Sequence, residues 1–392
     1  METTIDAPHD EAVQGPRPGR ESSKAMRVLM VTPRYFPLMG GVETHTYEVA
    51  RRLAAQGVHT TVLTTDPGQT LPTEETVEGV HIMRVPAYPA NRDFYVAPGI
   101  ARRIAQGTWD IIHCQGFHTF VPPLAMWAAQ RSHVPYILTF HSGGHSSGWR
   151  HSIRSVQAKL MRPLLAGATR LVGVSRFEAK LFQTRLNLPS EQFVVIPNGS
   201  HLPKVAAQPR NNDETLILSV GRLEKYKGHQ RIIAAFPEIL AQRPDARLRI
   251  LGTGPYEPEL KALVKELGIG ERVEIGAIPP GNRQGMASVL LDAALVVLLS
   301  EYEAHPISVM EALSMKRPVL VADTSGLSEL AERGFVRAIP LESTATQVAQ
   351  AVLEQLRSPL VRNDIELPTW DECAALLLSL YETVIEEHQC AS

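Results

Sequence analysis

The sequence is short of cysteine, of aromatic residues and of net charge, and it has no long apolar run. Its 392 residues contain three cysteines, Cys114, Cys373 and Cys390. They are odd in number, far apart and without metal-ligand spacing, which argues against a disulfide scaffold or a zinc module and points to a reduced, cytoplasmic chain. A formal net charge of −2 supplies no bulk attraction to nucleic acid or anionic lipid. No apolar stretch reaches the roughly 20 residues of a membrane span. Residues 1–24 carry Pro, Gly, Ser and charges but not the apolar core of about 7–15 residues that a secretory signal needs. They are expected to form a disordered leader outside the fold.

What is present is the composition of a globular enzyme, 44% hydrophobic and 20% charged. A chain of this length exceeds the roughly 250–300 residues that one core sustains, so two domains are expected. From Lys24 onward, short Val/Ile/Leu runs alternate with amphipathic segments. Strands are expected at Arg27–Thr32, Val58–Thr64, Val80–Val85, Asp110–Cys114, Pro135–Phe140, Arg170–Val174 and Phe193–Ile196. A helix is expected at Glu43–Gln56, stopped by Gly57. The polar, Pro- and Asn-containing stretch around 201–213 reads as a linker. Strands then resume at Thr215–Val220, Arg247–Leu251, Arg272–Ile275, Ala294–Leu299, Arg317–Val321 and Phe335–Ile339. The expected fold is α/β: two Rossmann-like, doubly wound parallel-sheet domains, 25–200 and 214–370, facing across a cleft. A last helix over 371–392 starts from a Thr369–Glu372 capping box, with Leu376, Leu377, Leu380 and Val384 as its apolar stripe.

Ligands of such sheets bind at the carboxyl ends of strands, so the informative motifs follow strands. The strongest is Ser300–Leu313, where Pro306 suits a first helical turn and the helix amides face the cleft. Glu303 stands before this helix and Glu311 more than a turn into it; two carboxylates at one helix mouth suit the vicinal hydroxyls of a sugar and a ribose. In Gly221-Arg222-Leu223-Glu224-Lys225-Tyr226-Lys227-Gly228, an Arg fork and a Lys point charge suit a diphosphate. A solvated charged loop reads equally well there. Gly40-Gly41 allows close backbone approach, or makes a plain turn. Gly252-Thr253-Gly254-Pro255 falls short of the dinucleotide fingerprint, because Glu257 stands at the third glycine. His141, after a strand and before Gly143-Gly144, is placed for the cleft; His113 and His118 rank below it.

Together these segments resemble the retaining glycosyltransferases of family 4, which have the GT-B fold. The resemblance runs from about Arg27 to Tyr381. It rests on Gly40-Gly41, Thr139-Phe140-His141, Gly173-Val174-Ser175, Pro197-Asn198-Gly199, Gly221-Arg222-Leu223 with Lys227-Gly228, Gly252-Thr253-Gly254-Pro255, and the Glu303/Glu311 pair followed by Lys316-Arg317-Pro318. It implies that Arg222 and Lys227 bind the donor diphosphate, that Glu311 holds the ribose, and that Glu303 contacts the transferred sugar. Backbone near Ile307 and Ser308 would support that sugar, Gly40 and Gly41 would approach the phosphates, and His141 would lie near sugar and acceptor. Gly252, Gly254, Ile278 and His305 complete the implied donor contacts. The resemblance also implies retention of configuration without a bound metal or other cofactor, and favours UDP over GDP. Two departures stand out: Ala304-His305-Pro306 where many members have Gly-Phe-Gly, and Ser200-His201 where Val-Asp is common.

The acceptor is expected to be a small molecule, a glycan or a lipid, bound by the loops 65–78, 88–98 and 143–151. Other readings are a sugar-nucleotide epimerase of the same fold and an inactive sugar-nucleotide sensor. A glycoside hydrolase also uses paired acids, but not beside an Arg/Lys pair. No nucleic acid is implied. Trp149–Arg170 is basic and amphipathic, with Arg150, Arg154, Lys159, Arg162 and Arg170 against Leu160, Met161, Leu164 and Leu165. Such a helix can dock peripherally on the inner face of a membrane; the preferred reading is that it covers the sheet.

Overall fold

In the computed structural model the described residues are 25–38, 40–89, 95–116, 119–142, 160–200, 202–203, 215–279 and 281–391. The expected leader, most of the linker, His118, His201, Gly143-Gly144 and the stretch 149–159 lie outside them.

Two sheets form. The first contains β1 (Arg27–Val31), β2 (His59–Thr65), β3 (Glu74–Val77), β4 (Val80–Val85), β5 (Ile111–Gln115), β6 (Tyr136–Thr139), β7 (Arg170–Gly173) and β8 (Phe193–Val195), in the order β3-β4-β2-β1-β5-β6-β7-β8. The second contains β9 (Thr215–Val220), β10 (Ala246–Leu251), β11 (Val273–Gly276), β12 (Leu295–Leu298), β13 (Val319–Ala322) and β14 (Arg337–Ile339), in the order β11-β10-β9-β12-β13-β14. Among these strands every pairing is parallel except β3 with β4. β3 was expected as part of a loop: its sequence, Glu-Glu-Thr-Val, is polar because it is a half-exposed edge.

The continuous apolar runs have a simple cause. Val28 and Met30 of β1 face one core, and Leu29 and Val31 face another. In the second sheet Leu295 and Val297 face one core while Val296 and Leu298 face the other. Both sheets are therefore covered on both faces, as parallel sheets require.

The last helix, Trp370–Ala391, completes the first sheet rather than the second. Trp370, Cys373, Leu377, Tyr381 and Val384 join Val28, Met30 and Val49 in one core. This corrects the expected stripe, since Leu376 is exposed. The capping box forms, with the Glu372 amide donating to Thr369 Oγ1 at 3.1 Å and the Thr369 amide donating to Glu372 Oε2 at 2.8 Å. Tyr381 Oη lies 2.6 Å from His113 Nδ1, and His113 Nε2 lies 2.7 Å from Thr139 Oγ1. Burial holds His113 well below the usual histidine range, so it packs as a neutral bridge. After β8 the Ser200 amide donates to the Pro368 carbonyl at 2.9 Å, tying this segment to the one that leads into the last helix.

Around residue 160 the described part of the basic amphipathic stretch buries Met161 and Leu165 in the core and leaves Leu160 exposed. Arg162 donates to the Leu186 carbonyl at 2.9 Å, and Arg170 pairs with Glu387 at 2.5 Å. No helix among the described residues is long and apolar enough to cross a membrane.

Candidate active site

Strand order reverses beside β9 in the second sheet: β10 lies on one side and β12 on the other. The loops leaving β9 and β12 therefore flank the crevice at the switch point, where ligands of doubly wound sheets bind. They are the loops carrying Arg222 and Lys227, and Glu303.

The β9 loop is held by backbone contacts that only glycine permits. Gly228 has φ +75°, and a Cβ there would lie 1.9 Å from the Leu299 carbonyl oxygen. Cβ atoms on Gly252 and Gly254 would lie 1.9 Å from the Gly221 oxygen and 2.4 Å from the Leu223 oxygen. Those two glycines thus serve the packing of strand ends, which accounts for them before any ligand is invoked. His229 sits beneath, with Nδ1 2.9 Å from Ser219 Oγ and Nε2 3.3 Å from the Arg222 carbonyl. Burial lowers its pKa to about 4, so it holds the loop as a neutral ring.

Lys227 Nζ lies 2.6 Å from Glu303 Oε1, and both side chains are largely buried. Burial opposes the charge on Lys227, but the Glu303 carboxylate outweighs it and leaves the ammonium pKa raised. Ser300 Oγ donates to the same Glu303 oxygen at 2.8 Å, and the Glu303 amide donates to Ser325 Oγ at 2.8 Å. Arg222 and Lys227 both lie over the Tyr226 ring, at 6.0 and 5.4 Å from its centroid, but Arg222 has other bonding partners. It bonds Glu224 at 2.6 Å and donates to Tyr226 Oη at 2.7 Å.

Glu311 is buried in the helix Ile307–Ser314 and paired with Arg283 of the helix Arg283–Asp292. Burial pushes its carboxyl pKa up and Arg283 draws it down. Nothing in the sequence singled out Arg283, because the pairing joins two helices. Pro306 stands one residue earlier than expected, as the N-cap of the helix rather than in its first turn. Ser308 Oγ donates to the Val220 carbonyl at 3.4 Å. Ile307 packs against the core of the first sheet, and Ile278 against that of the second. His305 is kept neutral by burial, with a pKa of about 4, and its Nδ1 has no hydrogen-bond partner among the described residues.

From the first sheet, His141 follows β6 with φ +46°. Its Nε2 lies 2.8 Å from Gln115 Oε1 at the end of β5, and its ring meets that of His45 edge-on at 4.5 Å. His45 was not foreseen; its Nδ1 lies 2.8 Å from Asn198 Oδ1. A Cβ on Gly40 would lie 2.6 Å from Glu43 Oε2, whereas Gly41 opens on free space. Among the described residues no group of three or more His, Cys, Asp or Glu could hold a metal ion.

Two parallel α/β sheets with charged strand-end loops at the switch point define a two-domain enzyme of the GT-B architecture. Residues 39–202 match the model of Glycosyltransferase Family 4, and residues 203–366 match that of glycosyl transferases group 1. The chain belongs to the family 4 glycosyltransferases. It is 27% identical to an uncharacterized glycosyltransferase of Methanocaldococcus jannaschii, over 92% of this chain and 99% of that one. It is 25% identical to the GDP-mannose:cellobiosyl-diphosphopolyprenol alpha-mannosyltransferase of Xanthomonas oryzae, over 84% of this chain and 88% of that one. In fold it is similar to sucrose-phosphate synthase from Thermosynechococcus elongatus, with a TM-score of 0.75 at 20% identity, covering 92% of this chain and all of that one.

Proposed function

We propose that the enzyme moves a hexose or N-acetylhexosamine from a nucleoside-diphosphate sugar to an acceptor hydroxyl with retention of configuration. The observation that carries this reading is the 2.6 Å contact of Lys227 with Glu303 at the switch point. It sets a diphosphate-binding cation beside a carboxylate suited to sugar hydroxyls, as a sugar linked to a β-phosphate demands. Arg222 and Lys227 bind the diphosphate, and Glu311 holds the ribose. His141 lies by the sugar and acceptor from the opposite sheet.

In the reaction the bond from the anomeric carbon to the phosphate oxygen breaks, a bond to the acceptor oxygen forms, and the acceptor hydroxyl's proton passes to the departing diphosphate. The departing diphosphate gains negative charge, which Arg222, Lys227 and the amino end of the helix Ile307–Ser314 stabilise more than they stabilise the donor. These groups supply the positive charge that a metal would otherwise provide, so no metal or other cofactor is required. The family's commoner use of UDP makes a UDP-sugar the first donor to test; GDP is the competing base, given the GDP-mannose relative. That relative's polyprenol-linked acceptor supports a lipid or glycan acceptor.

A thermal-shift screen against UDP, GDP, ADP, dTDP and NAD, with and without EDTA, tests this reading. At 100 times its dissociation constant, the donor nucleotide adds about 2.7 kcal/mol of stability. A selective shift that survives EDTA supports the proposal. A shift with NAD alone, or none, overturns it. The anomeric coupling in the product's NMR spectrum then tests retention.

A further inference from the structure

Ser142 and Tyr302 belong to different sheets: Ser142 follows His141 after β6, and Tyr302 precedes Glu303 after β12. Their oxygens lie 2.6 Å apart. Beneath Ser142, the carboxylate of Glu178 is fully buried. It accepts the Ser142 amide at 2.6 Å, the Val174 amide at 2.8 Å and the Ser142 hydroxyl. A serine hydroxyl has one proton. Since that proton goes to Glu178, Ser142 Oγ accepts from Tyr302, and the chain of donation runs from Tyr302 through Ser142 to Glu178. Two more contacts join the same faces. The Phe177 ring meets Tyr302 edge-on at 5.7 Å, and the Phe177 amide donates to Glu329 of the helix Ser325–Glu332.

We infer that Tyr302, Ser142 and Glu178 are positioning residues that fix the His141 side of the cleft against the Glu303 side, and so align acceptor and donor sugar. This rests on the proposed roles of His141 and Glu303. The link touches the residue next to each of them, one bond along the chain. It differs from the passages near residues 198 and 368, because it joins the sheets through side chains at the reacting end. Burying Glu178 is costly unless its acceptor capacity is used, and three donors from Val174 and Ser142 use it. The carboxylate thereby pins the backbone that carries His141.

Tyr302→Phe removes the hydroxyl alone. It is expected to lower kcat about tenfold, the effect of one hydrogen bond made to a charge-anchored partner, with the Kd for UDP or GDP unchanged. Ser142→Ala, which also takes a donor from Glu178, is expected to lower kcat at least as much, and the double variant to lose no more than Ser142→Ala alone, since Tyr302 acts through that serine. Losses that multiply in the double variant, or a full kcat in Tyr302→Phe, would overturn the inference. If the unaltered chain binds no nucleoside diphosphate, it is the donor-site reading that fails. Amide hydrogen exchange then decides the link: faster exchange around Ser142 in Tyr302→Phe supports it, and unchanged exchange overturns it.

Discussion

Lys227 Nζ lies 2.6 Å from Glu303 Oε1, and Ser300 Oγ lies 2.8 Å from the same oxygen. The cation proposed for the diphosphate is thus held by the carboxylate proposed for the sugar. Lys227→Ala is expected to lower turnover at least about tenfold, because one charge-assisted contact contributes roughly 1.5–3 kcal/mol. Glu303→Gln is expected to lower kcat while leaving UDP or GDP bound at least as tightly, since Lys227 is released for its proposed contact with the diphosphate. Steady-state rates with calorimetric Kd values check both. A full rate in Lys227→Ala would remove it from the site.

Glu311 and Arg283 give a pH-dependent prediction. Glu311→Ala is expected to weaken UDP or GDP binding about tenfold or more. Arg283→Gln removes the influence that draws the Glu311 pKa down. Glu311 then stays protonated to a higher pH and, in its proposed role, accepts ribose hydroxyls less well. Nucleotide affinity in that variant should fall as pH drops, starting from a higher pH than in the unaltered chain. Calorimetric titrations at about pH 8 and about pH 6 test this; the same pH dependence in both proteins would remove Arg283 from the argument.

His229 has a folded pKa of about 4 against an ordinary 6.5. Between those values the unfolded chain binds a proton that the folded chain refuses. Its contribution to stability is therefore complete above pH 6.5 and is lost as pH falls toward about 4. In His229→Asn the fall in Tm between about pH 7 and about pH 5 should be smaller than in the unaltered chain. The buried carboxylates cancel in this comparison. Parallel Tm curves would show that His229 is not held neutral.

Gly199 packs against the start of the last helix. A Cβ there would lie 2.2 Å from the Trp370 amide nitrogen and 2.5 Å from the Thr369 carbonyl carbon. Both are backbone atoms and neither can swing aside. Gly199→Ala is expected to destabilise the chain by about 1–3 kcal/mol through overpacking, read as a lower Tm or urea midpoint. An unchanged midpoint would mean that the Asn198-Gly199 passage yields freely.

The apolar runs by themselves indicated thirteen of the fourteen described strands, because strands of a sheet covered on both faces are mostly apolar. β3 escaped notice since an exposed edge needs no such run. Glycines and prolines marked the turns that bring Arg222, Lys227 and Glu303 to strand ends, and the Thr369–Glu372 spacing marked the last helix. What tertiary structure alone decided is which groups meet. Arg283 with Glu311, Ser142 with Tyr302, and His45 with Asn198 are pairs far apart in sequence, and none leaves a local pattern. The last helix likewise chose its stripe, Cys373 and Tyr381 inward and Leu376 outward, by the shape of the sheet it covers. Periodicity records that a segment has a buried face; only the packed chain determines which residues line it and against what.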